Sequence, residues 1–240
     1  MNCVAIIPAR YASSRFPGKP LAEIAGKTMI QRVIEQAKKA NHIQEIWVTT
    51  DNDQIQTHVE SLNVKVQRTS ASCQSGTERI LELLPVIEKS AFDTIINIQG
   101  DEPFIHPETI ETVLESIQKD GISTACITIK NAEEIEDPNR VKIALNSAGQ
   151  AMYFSRSAIP YARNSFHAYK KHIGIYAFTI SALKKIALLE PHPLELAESL
   201  EQLRWLANGI PIQVIETALE SIGIDTPEDL ENAKKLYFTE

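Results

Sequence analysis

Strand and helix signals alternate through the first half of this chain, and that alternation predicts an α/β fold with a mainly parallel mixed sheet flanked by helices. Two observations carry the expectation. Short apolar runs rich in β-branched residues, at 4–7, 46–50, 94–98 and 123–129, have the length of buried strands, with amphipathic stretches between them. The first and third of these runs end in polar loops, and in such sheets ligands bind at the carboxyl ends of strands.

Residues 4–7 form the first strand and Pro8 ends it, because proline gives no N–H to a ladder. Thr28-x-x-Gln31 opens a helix whose apolar face is Met29, Ile30, Val33, Ile34 and Ala37. The strand at 46–50, a short helix with Ile55, Val59 and Leu62, and a strand around 64–66 follow. A polar loop at 68–76 leads into a helix over 77–87, where Thr77 is a candidate cap. After the strand at 94–98, Pro107 suits the first position of a helix running to about 117.

The pattern then changes. Residues 141–145 and 151–155 flank Asn146-Ser147-Ala148-Gly149-Gln150 and read as a hairpin. A strand at 172–178, helices at 180–189 and 194–208, and a strand at 212–215 come next. Thr226-Pro227-Glu228-Asp229 starts a last helix, with Thr226 as cap and Asp229 as a capping-box variant. The expectation is a single domain over 1–240 with a smaller antiparallel subdomain inserted at about 131–205.

The net charge is −7, which argues against nucleic acid or an anionic membrane as partner. No run approaches the ~18 apolar residues of a membrane span, and no basic lead precedes the first apolar run. The three cysteines, Cys3, Cys73 and Cys126, are widely spaced without a CxxC pair. They read as reduced thiols of a cytoplasmic protein, with neither a disulfide framework nor a zinc site.

Within this acidic chain the loop 8–20 is a local exception. It carries Arg10, Arg15 and Lys19, and no carboxylate precedes Glu23. Arginine's planar fork suits phosphate oxygens; the plainer reading is a solvated basic loop. Gly18-Lys19 lacks the spacing of a Walker A motif, so a phosphate cradle here depends on side-chain cations. Asp101 follows a strand and a glycine, a place for a Mg²⁺ ligand or for a turn aspartate. Asp225 precedes a helix that Thr226 already caps, so it reads as a second metal ligand or as a surface acid favoured by the helix dipole. Gly76 allows close backbone approach and Ser75 offers a hydroxyl to a base. Arg156 ends the hairpin, His172 and Tyr176 share one face of a strand where such residues are more often structural than functional, and Glu201 and Gln202 lie in an amphipathic helix where the plainer reading is a solvated face.

Residues 7–21, Ile7-Pro8-Ala9-Arg10-Tyr11-Ala12-Ser13-Ser14-Arg15-Phe16-Pro17-Gly18-Lys19-Pro20-Leu21, closely resemble the N-terminal signature of the 3-deoxy-manno-octulosonate (Kdo) cytidylyltransferases. Stretches at 74–79, 97–103, 153–160, 172–176, 200–203 and 223–230 match in order, so the resemblance covers nearly the whole chain. The opening loop alone also fits sialic-acid cytidylyltransferases.

The resemblance implies a Rossmann-like, GT-A-like nucleotidyltransferase joining CTP and Kdo into CMP-Kdo and pyrophosphate for lipopolysaccharide assembly. It also implies Mg²⁺ as cofactor and a homodimer formed through the smaller subdomain. It places Ala9, Arg10, Arg15, Lys19, Ser75, Gly76 and Gln99 on nucleotide, and Asp101 and Asp225 on the metal, with Lys19 beside them in catalysis. It places Gln99, Arg156, His172, Tyr176, Glu201 and Gln202 around the sugar acid. Ser14 and Phe16 stand where the family more commonly has Thr and Leu, and the segment 161–171 is shorter than in familiar members. Kdo and its 8-amino analogue therefore both stay open as substrates. A glycosyltransferase of related fold is a further alternative; it would use an Asp-x-Asp motif, and Asp51-Asn52-Asp53 has that form.

Overall fold

The computed structural model describes residues 1–13 and 15–238; Ser14 lies outside the described residues. In chain order the elements are β1 (Cys3–Pro8), β2 (Glu23–Ile24), β3 (Lys27–Thr28), α1 (Met29–Ala37), β4 (Ile43–Thr50), α2 (Asp53–Ser61), β5 (Lys65–Arg68), α3 (Gly76–Ile87), β6 (Thr94–Asn97) and α4 (Pro107–Glu115). They continue with β7 (Ile122–Thr128), α5 (Glu133–Glu136), β8 (Lys142–Leu145), β9 (Ala151–Ser155), β10 (Lys170–Thr179), α6 (Ile180–Ile186), α7 (Pro193–Glu198), α8 (Gln202–Ala207), β11 (Ile212–Glu216) and α9 (Pro227–Phe238). Two compact units result: Met1–Glu111 with Ser221–Glu240, and Thr112–Glu220.

In the first unit, parallel strands lie in the order β5-β4-β1-β6. β1 is the central strand, and residues 3–7 are wholly buried, as their unbroken apolar run predicts. Helix α3 lies against β1, β4 and β6. Its Ile80, Leu83 and Ile87 face the core, the periodicity expected of an amphipathic helix. A second apolar cluster of Ile24, Met29, Phe104, Ile224, Leu230 and Ala233 joins the segment after β1 to the start of α9.

In the second unit, β7 pairs parallel with β11 and antiparallel with β10. β10 pairs with β8, and β8 forms the expected hairpin with β9. The chain is thus α/β with mostly parallel strands and flanking helices. Among the described residues no helix is long and apolar enough to cross a membrane.

Three local expectations change. The helix expected over 194–208 is two helices, because Ser199 adopts φ 52°, ψ 49° and ends α7 in the left-handed region. Ser75, not Thr77, caps α3: its Oγ accepts from Glu78 N at 3.2 Å. Thr28 caps α1 through Gln31 N at 3.2 Å, but the Gln31 amide turns to Glu35 and the box is half made. The box at α9 is complete, with Asp229 Oδ2 accepting from Thr226 N at 2.8 Å and Thr226 Oγ1 from Asp229 N at 3.1 Å.

Gly100 shows why the loop after β6 has the sequence it has. A Cβ there would lie 2.7 Å from the Pro8 carbonyl oxygen, so only glycine lets this loop press against the end of β1. Gly100→Ala should therefore destabilise the protein by about 1–3 kcal/mol, the usual cost of forced overpacking, as read by urea denaturation. An unchanged midpoint would show that the loop relaxes freely.

Candidate active site

One pocket of the first unit gathers residues from four stretches far apart in sequence. It is lined by Pro8 at the end of β1 and Ala9, Arg10, Ser13, Arg15 and Lys19 from the loop after it, by residues 73–76 and Arg79 around the start of α3, and by Gln99, Gly100, Asp101 and Asp225. Every nucleotide and metal residue expected from the sequence in this unit lies on it: Ala9, Arg10, Arg15, Lys19, Ser75, Gly76, Gln99, Asp101 and Asp225.

The loop owes its course to Gly18, at φ 72°, where a side chain would be strained and would also meet the Tyr11 ring at 3.2 Å. Gly18 N donates to Tyr11 O at 2.9 Å, which folds the loop back and starts a short 3₁₀ turn at Lys19. The Lys19 ammonium then reaches Asp101 Oδ2 at 2.7 Å and Asp225 Oδ1 at 2.9 Å. Arg15 Nη2 takes the other Asp225 oxygen at 3.0 Å. Asp225 is brought there by the backbone, since Ile224 N donates to Asp101 O at 2.9 Å.

Charge follows from this geometry. Burial works against the Lys19 charge, but Asp101 and Asp225 outweigh it and lift its pKa above the ordinary lysine value. Burial also opposes ionisation of Asp225, and the contacts with Lys19 and Arg15 overcome it and hold its pKa below the ordinary aspartate value. A single cation nitrogen touching both carboxylates places their oxygens where one small cation is shared. Hard carboxylate donors in that arrangement fit Mg²⁺.

The wall at 73–79 is held from behind by α3. Ser70 N donates to Glu82 Oε2 at 2.8 Å, Gln74 N to Glu78 Oε2 at 2.6 Å, and the Cys73 thiol to Glu82 Oε1 at 3.1 Å. Burial and Glu82 push the Cys73 thiol up to about 11, so it is no nucleophile at neutral pH. A Cβ on Gly76 would stand 3.5 Å from the Asn97 amide nitrogen and 3.6 Å from that of Gln99. Asn97 is wholly buried, and its amide has no hydrogen-bond partner among the described residues. Asn97 and Arg79 are not among the site residues expected from the sequence; a polar residue ending an otherwise apolar strand is the signal for the first.

Asp51-Asn52-Asp53 has structural partners. Asp51 pairs with Arg79 at 2.7 Å, Asn52 caps α2, and Asp53 pairs with Arg68 at 3.1 Å.

The expected sugar-acid residues other than Gln99 belong to the second unit. Arg156 Nε donates to Glu198 O at 2.7 Å and its Nη1 to Pro138 O at 3.0 Å, so the guanidinium is anchored on backbone. His172 lies with its ring edge-on to Phe154 at 5.1 Å and 5.2 Å from Tyr176, and Tyr176 meets Trp205 at 5.3 Å. Burial, then the Glu201 carboxylate, raises the Tyr176 pKa well above that of a free phenol. Gln202 is buried as the first residue of α8. Thr124 Oγ1 donates to Ile175 O at 2.6 Å and so accepts from His172 Nε2–H at 3.0 Å, which selects the neutral Nε2–H tautomer.

The fold and this pocket define a nucleotidyltransferase, and the chain belongs to the cytidylyltransferase family, whose model matches residues 4–222. Its relatives narrow the class to one branch. The 3-deoxy-manno-octulosonate cytidylyltransferase of Cytophaga hutchinsonii is 48% identical over 239 residues, covering 96% of this chain and 95% of that one. The protein of that name from Escherichia coli is 43% identical over 243 residues, covering 100% and 97%. A solved structure of CMP:2-keto-3-deoxy-manno-octonic acid synthetase complexed with CTP superposes with a TM-score of 0.90 at 42% identity, over 98% of both chains. A glucose-1-phosphate thymidylyltransferase from Bacillus anthracis, at 17% identity and a TM-score of 0.70 over 98% of this chain and 94% of that one, shares the fold.

Burial lowers the His172 pKa from 6.5 to about 3. Between those values the unfolded chain binds a proton that the folded chain refuses, so stability falls as pH falls through that window. The slope from this residue is at most about 1.4 kcal/mol per pH unit. Urea denaturation across that range should show the slope, and His172→Gln should flatten it. Equal slopes in the two proteins would refute the assignment.

Proposed function

We propose that this chain transfers the cytidylyl group of CTP to 3-deoxy-D-manno-octulosonate, giving CMP-Kdo and pyrophosphate for lipopolysaccharide assembly. The observation that carries the reading is the Lys19 ammonium seated between Asp101 and Asp225 in a pocket lined by Arg10 and Arg15. The names of the relatives supply CTP and Kdo as the substrates.

The anomeric hydroxyl of the sugar attacks the α-phosphorus in line with the departing pyrophosphate. Such a transfer needs positioning and charge neutralisation more than covalent help. Arg10, Arg15 and Lys19 hold the phosphate oxygens and offset the charge that grows on pyrophosphate. Asp101 and Asp225 would hold Mg²⁺, which when bound would draw charge from the α-phosphate and the attacking oxygen. Ser75 and Gly76 wall the nucleoside, with Ala9 and Gln99 beside them.

Arg156, His172, Tyr176, Glu201 and Gln202 read the sugar acid. Arg156 is the cation of that set, because His172 is neutral at physiological pH. The enzyme works in the cytoplasm as a homodimer formed through the region of about 131–205, where Met152, Tyr161 and Leu196 are 63%, 90% and 68% exposed.

Pyrophosphate release with CTP and Mg²⁺, tested with Kdo, 8-amino-Kdo and sialic acid side by side, checks the reaction. Kdo should give the highest kcat/KM; turnover of sialic acid without Kdo would overturn the assignment. Asp101→Asn should lower kcat by roughly 10²-fold or more, the scale of losing a central transition-state electrostatic contact. Sedimentation of the purified protein should give a dimer, and Tyr161→Asp should shift it towards monomer.

A further inference from the structure

The side chains of the 73–79 wall differ in what they tell apart. The cations of the opening loop suit the triphosphate, which leaves this wall for the pyrimidine. The Gln74 carboxamide, whose nitrogen donates to Ser72 O at 3.0 Å, and that of nearby Gln99 each carry both a donor and an acceptor, so neither by its residue type excludes one pyrimidine. The Ser75 hydroxyl rotates and already accepts from Glu78 N. The Cys73 thiol is turned to Glu82. Arg79 alone in this group is all donor, with five N–H groups and no acceptor.

Arg79 is also the most firmly fixed of them. It is 3% exposed while lining the pocket. Its Nη1 donates to Thr69 Oγ1 at 2.6 Å and to Ser70 O at 3.3 Å, and its Nη2 to Asp51 Oδ2 at 2.7 Å. A paired, planar guanidinium presents its donors in a set direction.

Cytosine and uracil differ in the matching property. Cytosine shows two adjacent acceptors, O2 and N3; uracil carries a hydrogen on N3. A donor-only group therefore satisfies cytosine and leaves an N–H facing an N–H with uracil, and an unmatched polar group in a closed site is costly. We infer that Arg79 is the residue that selects cytosine over uracil, and that Asp51 is a positioning residue that holds its guanidinium in the pocket. The inference rests on the nucleotidyl-transfer reading of the pocket and adds the base-selecting group to it.

Calorimetric binding of nucleotide without sugar tests this separately from turnover. Wild-type protein should bind CTP more tightly than UTP, and more tightly than 3-deaza-CTP, which lacks the N3 acceptor, by about tenfold or more. In Arg79→Gln the CTP/UTP and CTP/3-deaza-CTP affinity ratios should each collapse towards one. Asp51→Asn should move both ratios the same way by a smaller factor, and Arg79→Lys should recover part of the preference. Should the Arg79 variants fail to fold, judged by circular dichroism, the 3-deaza-CTP comparison on wild type and Asp51→Asn decides. Wild-type binding of 3-deaza-CTP equal to that of CTP, or folded Arg79 variants that weaken all three nucleotides by one factor, would overturn the inference. Binding that behaves as expected without pyrophosphate release from CTP and Kdo would leave Arg79 as the selector and sink the proposed reaction instead.

Discussion

Two aspartates and one lysine set the terms for the rest of the first unit. Asp101 and Asp225 stand close enough to share a single ammonium, and two carboxylates at that separation repel unless a cation lies between them. Lys19 supplies it, with 13% of its side chain exposed against 32% and 48% for its partners. Such an arrangement needs three backbone segments held to within a fraction of an ångström. Gly18 turns the first segment, Gly100 lets the second lie on the end of β1, and the Ile224-to-Asp101 backbone bond ties in the third. The apolar cluster of Ile24, Met29, Phe104, Ile224 and Leu230 supports the same three segments. Close packing transmits any shift there to the carboxylates.

The second wall of the pocket is built by a different device. α3 uses polar side chains as struts: Glu78, Arg79 and Glu82 each bond a residue in 69–74. A loop tied at several points is more ordered than its composition of serines and a glutamine suggests. The Asp-x-Asp triplet after β4 belongs to this scaffold, because Asp51 holds Arg79 in place.

The second unit follows another principle. Its centre is aromatic, with Phe154, His172, Tyr176, Phe178 and Trp205 in edge and tilted contacts. Enclosure in these rings is what keeps His172 uncharged. Trp205 is fully buried on α8, so the break at Ser199 matters: one continuous helix over 194–208 would direct its apolar residues along a single stripe, whereas two short helices divide them.

Much of this was legible in the sequence because it is local. Apolar runs of strand length gave β1, β4, β6 and β7, spacing gave the buried face of α1, and Thr226 with Asp229 announced the start of α9. The cationic loop stood out because no acid lies near it in sequence, and the motif resemblance named its partners. Other features depend on what lies beside a residue in space. Ser75 outcompetes Thr77 as cap because the backbone turns two residues earlier. Ser199 enters the left-handed region although its identity does not demand it. Asp225 finds Lys19 across 206 positions of chain, and Arg79 becomes a fixed donor only because Asp51 and Thr69 face it. Residue types and short-range periodicity determined which elements form and which side chains carry chemistry. Only the tertiary structure decided which charges meet, since their pairing depends on through-space distance and burial, which no local pattern encodes.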